Sequence, residues 1–205
     1  MSERTEYREI GDGFDRSAPR YDREMHDNPA MRAMRQVSLD TLTQVFSPGQ
    51  RVLEIGCGTG EEAVALGQRG VRVLATDLSP VMLEVTQRKV AAAGLEHVVE
   101  TQRLAAGELG LLAEEVGPGA FEGAYSSFGP LNGETDLARV RDALALLLLP
   151  QSRVVVSVMN RFCLFETAWY LAHGRQCVSG LVRRQRWVYR IFVVNAGYDK
   201  CSWCN

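Results

Sequence analysis

Histidine is scarce in this chain, with only three, His26, His97 and His173, among 205 residues. Imidazole-based acid–base or metal chemistry therefore has few places to reside. Cysteine is limited to five. Cys57, Cys163 and Cys177 are widely spaced, and an odd total fits reduced thiols better than a disulfide framework. Cys201 and Cys204 form a lone C-x-x-C. Without a second pair it is weak evidence for zinc or redox work, and no metal site is expected. The longest apolar run, Ala143 to Leu149, falls far short of the ~20 residues that a membrane helix needs. The opening Met1-Ser-Glu-Arg-Thr-Glu is charged, so no secretory signal is expected and a cytoplasmic protein follows. A formal net charge of -2 disfavours reliance on the phosphates of long nucleic acids. Charge is uneven, however. Arg175, Arg183, Arg184, Arg186 and Arg190 occur between Glu166 and Asp199 without an intervening acid. A solvated basic face and a patch for an anionic partner both remain open.

What is present is an ordinary 46% of hydrophobic residues without repeats or linkers, which suits one α/β domain spanning residues 1–205. Phe14, Ala18 and Tyr21 lie at helical spacing, and Asn28-Pro29 opens a second helix, so residues 1–46 read as a helical cap. Alternation follows over residues 47–160. Strands are predicted at Arg51–Ile55, Val71–Thr76, His97–Arg103, Phe121–Ser126 and Arg153–Val158. Helices are predicted between them at Thr59–Gln68, Ser79–Ala93, Gly107–Val116 and Thr135–Leu149, the last stopped by Pro150. Such alternation predicts a doubly wound, mostly parallel sheet with helices on both faces. In residues 161–205, Phe162–His173 reads as a helix and Trp187–Val194 as a strand. The C-terminal strands thus read as incomplete or divergent.

The most informative stretch is Val52-Leu-Glu-Ile-Gly-Cys-Gly-Thr-Gly60, three alternate glycines leaving a strand and entering a helix. Such a loop allows close backbone approach to a ligand and presents free N–H groups. A dinucleotide fingerprint wants a small residue where Glu61 stands, and Glu61 and Glu62 would repel a pyrophosphate there. Asp77 ends the second strand, where a carboxylate can accept from both hydroxyls of a ribose. Strand, loop, helix, strand and acid together point to a nucleoside ligand without phosphates.

This stretch resembles motif I of the class I S-adenosylmethionine (SAM)-dependent methyltransferases, and the likeness runs over roughly residues 10–165. Phe14-Asp-Arg-Ser-Ala-Pro-Arg-Tyr-Asp22 is similar to the leading helix of the ubiquinone- and menaquinone-biosynthesis type of small-molecule methyltransferase. Asp77-Leu-Ser-Pro-Val-Met-Leu83 is similar to the D-x-S-x-x-M-L segment. Phe121-Glu-Gly-Ala-Tyr-Ser-Ser-Phe-Gly129 resembles the fourth-strand motif, with Glu122 where an aspartate is usual.

The resemblance implies SAM as cofactor and S-adenosyl-L-homocysteine (SAH) as product. Gly56, Cys57, Gly58 and Gly60 would cradle the methionine and ribose portions, with Glu54 near the amino group. Asp77 would take the ribose hydroxyls, and Leu78 and Met82 the adenine face, although spacing alone also allows those two to be core. Tyr21 would close over the carboxylate end, and Ser126 and Ser127 would face the sulfonium. Where the family often has an acid for the adenine amino group, Leu104-Ala-Ala-Gly107 stands instead, leaving Ala105 and Ala106 to contribute backbone N–H and van der Waals contact.

Methyl transfer from a sulfonium needs alignment more than acid–base machinery, so the weak base candidates His26 and His173 are set against exposed surface histidines. Phe128, Asn160, Phe162, Phe165 and Trp169 are the candidate acceptor-facing residues, with helical core packing as the alternative for the aromatics. No D/N/S-P-P-Y/F segment follows the fourth strand, which disfavours amino methylation of adenine or glutamine, and Cys163 lacks a preceding proline, which disfavours attack on a pyrimidine ring through cysteine. The resemblance thus implies transfer to oxygen or nitrogen of a small molecule. The alternatives are a SAM-binding partner or sensor without catalysis, and an RNA methyltransferase guided by the arginine-rich segment. A homodimer sharing residues 175–205 is expected on the grounds of the short C-terminal region.

Overall fold

The computed structural model describes residues 3–159 and 189–195. Helices α1 (Glu3–Asp27) and α2 (Pro29–Val45) come first. Asn28 caps α2, its side chain accepting from the N–H groups of Ala30 and Met31, with Pro29 preset for the first turn. Then β1 (Arg51–Ile55), α3 (Glu61–Gly67), β2 (Arg72–Asp77), α4 (Pro80–Ala92), β3 (Val99–Arg103), α5 (Leu109–Val116), β4 (Phe121–Ser126), α6 (Leu137–Leu147), β5 (Leu148–Met159) and β6 (Tyr189–Asn195) follow. Short 3-10 turns occupy Ala106–Glu108 and Pro130–Gly133.

The strands form one sheet in the order β3-β2-β1-β4-β5-β6. The first five are parallel and β6 runs antiparallel to β5. Alternate residues along each strand serve opposite cores. Val52, Val73 and Val155 join Leu42, Leu66 and Val90 of α2, α3 and α4, and Phe46 just after α2, on one face. Leu53, Leu74 and Val154 join Leu109, Leu112, Val140 and Leu147 of α5 and α6 on the other. The expected doubly wound architecture is what the chain adopts.

Several boundaries differ from the sequence expectation, and three of the differences show their physical cause. The third helix begins at Glu61, not Thr59, because Gly60 sits at φ 75° and cannot belong to a right-handed helix. The stretch Gly107–Val116 divides into the 3-10 turn and α5. Helix α6 stops at Leu147, because Leu148 already pairs with Phe121 of β4. The β5 residues beyond it loop out in a bulge, where Gln151 takes φ 66°, before pairing resumes at Gly123↔Arg153. Pro150 disfavours helical backbone just before it, which frees Leu148 and Leu149 for the strand.

Candidate active site at the carboxyl ends of the strands

In a sheet of this order the chain reverses direction between β1 and β4, and ligands gather outside the carboxyl ends of the strands at that switch point. Hydroxyl side chains stitch the strand ends together there. Thr76 Oγ1 donates to the Glu54 carbonyl at 2.7 Å, and Ser126 Oγ donates to the Ile55 carbonyl at 2.9 Å. The N–H groups of Gly56 and Cys57 both donate to the Thr76 carbonyl at 2.8 Å, folding the glycine loop back over β2.

Gly58 lies at φ 54° with no atom within 4 Å of where a Cβ would stand. The loop therefore presents bare backbone toward open space, the cradle that a ligand's edge requires. Asp77 is buried at its rim. Its Oδ2 accepts from Gly58 N–H and its Oδ1 from Ser79 N–H, each at 2.8 Å. Burial raises its pKa, and those N–H bonds pull it back down. Each carboxylate oxygen keeps a second lone pair for a ribose hydroxyl.

The side expected to face adenine is bounded by Leu78 and the turn after β3. Leu78 is half-buried beneath α1, its Cγ 3.6 Å from the point where a Cβ on Gly11 would sit. Met82 is 1% exposed, part of the core. Ala105 corrects an expectation: its N–H already donates to Glu108 Oε2 at 3.0 Å, so it is not free for a base edge. Glu108 caps the turn, a role its distance from β3 had hidden. Ala106 opens that 3-10 turn and is half-buried.

At the opposite end the structure brings together residues that are far apart in sequence. Glu54 is 1% exposed at the end of β1, and Glu62 is 3% exposed in the first turn of α3. Glu62 Oε1 is buried with no hydrogen-bond partner among the described residues, while Glu54 Oε2 and the Tyr125 hydroxyl, buried within reach of one another, have no further partner there. Burial, and then the neighbouring Glu62 charge, push the Glu54 carboxyl well up; burial likewise raises Glu62, with Arg35 opposing. Arg35 of α2 pairs with Glu62 Oε2 at 3.2 Å and stands 4.9 Å over the Phe128 ring. Tyr21 is half-buried within electrostatic reach of Arg35, Glu62 and Asp77, its pKa raised mainly by burial. An orphaned acceptor beside a cation, next to a bare-backbone cradle, fits a ligand with an amino-acid end.

Ser126 and Ser127 stand at the end of β4 with their hydroxyls already engaged, Ser126 with Ile55 and Ser127 with Ser38 of α2 at 3.0 Å. Phe128 holds φ 62°, uncommon for a bulky residue, and its N–H donates to Ser157 Oγ at 2.7 Å. The Cys57 thiol is buried, and burial pushes its pKa well up. His26 is exposed at the end of α1. His173, Asn160, Phe162, Phe165 and Trp169 lie outside the described residues. No group of three or more His, Cys, Asp or Glu suited to a metal occurs among the described residues.

Sequence reasoning missed Arg35 and Glu62 as a pair, and the tethers of α1. Asp15 accepts from Ser79 Oγ, Asp22 from Thr59 Oγ1 and Lys89, and Glu134 from the Tyr7 hydroxyl. Asp15 and Asp22 belong to the leading segment singled out above, so their recurrence at helical spacing beside Tyr21 was the available signal. Glu122, standing in place of the usual aspartate, accepts from Arg51 N–H at 2.7 Å and ties β4 to the start of β1.

Comparison with known proteins agrees with this geometry. Residues 52–151 match the family described as a methyltransferase domain. The ubiquinone biosynthesis O-methyltransferase of Xylella fastidiosa (strain 9a5c) is 35% identical over 132 residues, 64% of this chain and 51% of that protein. The chain thus spans about half the length of the curated relatives it matches. Among solved structures, the geranyl diphosphate C-methyltransferase from Streptomyces coelicolor A3(2), in complex with Mg2+, geranyl diphosphate and SAH, superposes with a TM-score of 0.55 at 16% identity, covering 75% of this chain and 58% of that one. The [4+2]-cyclase SpnF superposes at 0.53 with 21% identity, covering 59% and 43%. At such identities the likeness is one of fold alone, and a fold can carry more than one chemistry. Strand order, glycine loop, Asp77 and the family match over residues 52–151 together liken this chain's core to the class I, Rossmann-like SAM-dependent methyltransferases.

Proposed function

We propose that the protein transfers a methyl group from SAM to an oxygen or nitrogen of a small-molecule acceptor by direct displacement. The observation that carries this reading is the Gly58–Asp77 cradle facing the β4 end across the switch point. The bound cofactor supplies an activated methyl on a sulfonium. The chain's own residues hold and align it: Asp77 by the ribose, the loop backbone by the sulfur-proximal part, and Tyr21 by covering. Alignment alone is worth about 7–11 kcal/mol of a displacement barrier. The acceptor would enter past Phe128, at the carboxyl ends of β4 and β5. Oxygen is the first acceptor to try, since the Xylella relative carries that name. No helix among the described residues is long and apolar enough to cross a membrane, and we place the protein in the cytoplasm.

The test is turnover of SAM to SAH with phenols, catechols and amines as acceptors, the methylated product being identified by mass spectrometry in wild type and Asp77→Ala. Product formed by wild type and lost in the variant supports the reading. Tight SAM binding without turnover on any acceptor would instead favour a sensor or partner protein, and RNA binding that falls steeply with salt would favour an RNA substrate. We also propose a homodimer that covers β6, where Phe192 and Val193 are 43% and 48% exposed. A monomer at high concentration in light scattering would sink that part.

A further inference from the structure

We infer that Ser157 of β5 is a positioning residue for the methyl acceptor, holding Phe128 in a strained conformation that sets the acceptor's wall against the cofactor loop. The inference deepens the methyl-transfer reading above and rests on it. Its starting point is the backbone at the end of β4. Phe128 takes φ 62° and Gly129 φ 80°. Glycine enters the left-handed region freely, whereas a bulky residue with a Cβ has to be held there. Strain of this kind persists where the surroundings over-determine it, and it gathers at functional sites.

Ser157 supplies the hold. It interrupts the run Val154-Val-Val-Ser-Val158, where packing alone would favour another valine. The ladder between β4 and β5 closes at Ser126↔Val156. One step further along, the Ser157 hydroxyl accepts from Phe128 N–H at 2.7 Å and donates to the Ser126 carbonyl at 3.2 Å. Ser157 is 2% exposed, so both bonds are shielded from water. Two parts of the site hang on the turn fixed in this way. At one end the half-buried Phe128 ring lies under the Arg35 guanidinium, whose carbon is 4.9 Å from the ring centroid. At the other, Pro130 fills the space that a Cβ on Gly56 would need, so the turn bears directly on the loop after β1. Gly56 belongs to the loop assigned to the cofactor, and Phe128 borders the path assigned to the acceptor. The Ser157 hydroxyl thereby sets where the wall of one reactant stands relative to the cradle of the other. Displacement depends on that relation, and misplacement by about 1 Å can cost on the order of 10²-fold in rate.

The test compares wild type with Ser157→Ala, Ser157→Thr, Phe128→Gly and the double variant Ser157→Ala/Phe128→Gly. SAH affinity is measured by calorimetry, and kcat and KM are measured with catechol, phenol and ethylamine as acceptors. Positioning predicts that Ser157→Ala lowers kcat/KM for the acceptor by about 10–100-fold while SAH affinity stays within about twofold. Ser157→Thr keeps the hydroxyl and recovers most of the lost rate. Phe128→Gly falls by a similar factor, and adding Ser157→Ala to it lowers the rate no further, because the serine acts through the phenylalanine. Loss of SAH affinity in parallel with turnover would show a merely structural serine and overturn the inference. An unchanged Ser157→Ala, or factors that multiply in the double variant, would overturn it too while leaving the methyl-transfer reading standing. A wild type that binds SAH but methylates none of the three acceptors overturns that reading and the inference with it.

Discussion

Substituting Gly60 with alanine tests whether the loop geometry is as tightly determined as it looks. Gly60 sits at φ 75°, where an L-residue costs about 1–2 kcal/mol. Its added Cβ would stand 2.4 Å from Thr86 Cγ2 and 2.8 Å from Thr86 Oγ1. Thr86 is fully buried in α4, and its hydroxyl donates to the Gly58 carbonyl at 3.0 Å. Making room costs about 1–3 kcal/mol for overpacking, with about 1 kcal/mol more where that hydrogen bond breaks. The whole is roughly 3–6 kcal/mol, or a fall in Tm of roughly 6–24 °C for a chain of this size. Thermal unfolding by circular dichroism reads it directly. Thr86→Ser removes the nearest methyl and keeps the hydroxyl, so the double variant should recover about 1 kcal/mol beyond additivity. A Tm loss under about 3 °C for Gly60→Ala, or strict additivity with Thr86→Ser, would refute the packing argument.

Three more expectations follow from the site. Burial raises the pKa of Glu54, Glu62 and Asp77, so the folded chain binds their protons more tightly than the unfolded one. Stability without cofactor should then fall as pH rises from the ordinary carboxylate range through the raised values; denaturant titrations at pH 5 and 8 would show it, Glu54→Gln should flatten the trend, and a rise with pH would contradict it. Asp77→Ala leaves the N–H groups of Gly58 and Ser79 without acceptors at about 1–3 kcal/mol each, offset by removal of a buried charge. Its SAH affinity should drop at least tenfold by calorimetry, and retained affinity would remove Asp77 from the site. Tyr7→Phe deletes the hydrogen bond to Glu134, measured at 2.7 Å; amide exchange along α1 should quicken by roughly fivefold, for about 1 kcal/mol, and unchanged exchange would show that this tether is idle.

The parallel core was legible because alternate residues on short apolar strands face opposite layers, and Gly60, Gly70 and Gly94 punctuate the elements between them. The cofactor loop was legible for a similar reason: a strand, three glycines and an acid make a local word. What was not legible is long-range or competitive. Arg35 and Glu62 are 27 residues apart, and nothing in either neighbourhood announces the other. Glu108 captures the Ala105 N–H only because the chain turns tightly there. Leu148 and Leu149 have the composition of a helix end, but pairing with Phe121 outweighs propensity.

The way α1 is held has a kinetic consequence. Its 25 residues lie over the loop and Leu78, yet of those whose exposure is described only Gly11 and Ala18 are buried. Its attachments are mostly polar: Tyr7 to Glu134, Asp15 to Ser79, Asp22 to Thr59 and Lys89. A helix fastened by a few hydrogen bonds instead of an apolar seam can lift as a unit at modest cost, and salt weakens its ion pair further. On the proposed reading, spent cofactor held beneath α1 would leave no faster than this helix detaches, so that residence time would be set by α1 and not by the loop.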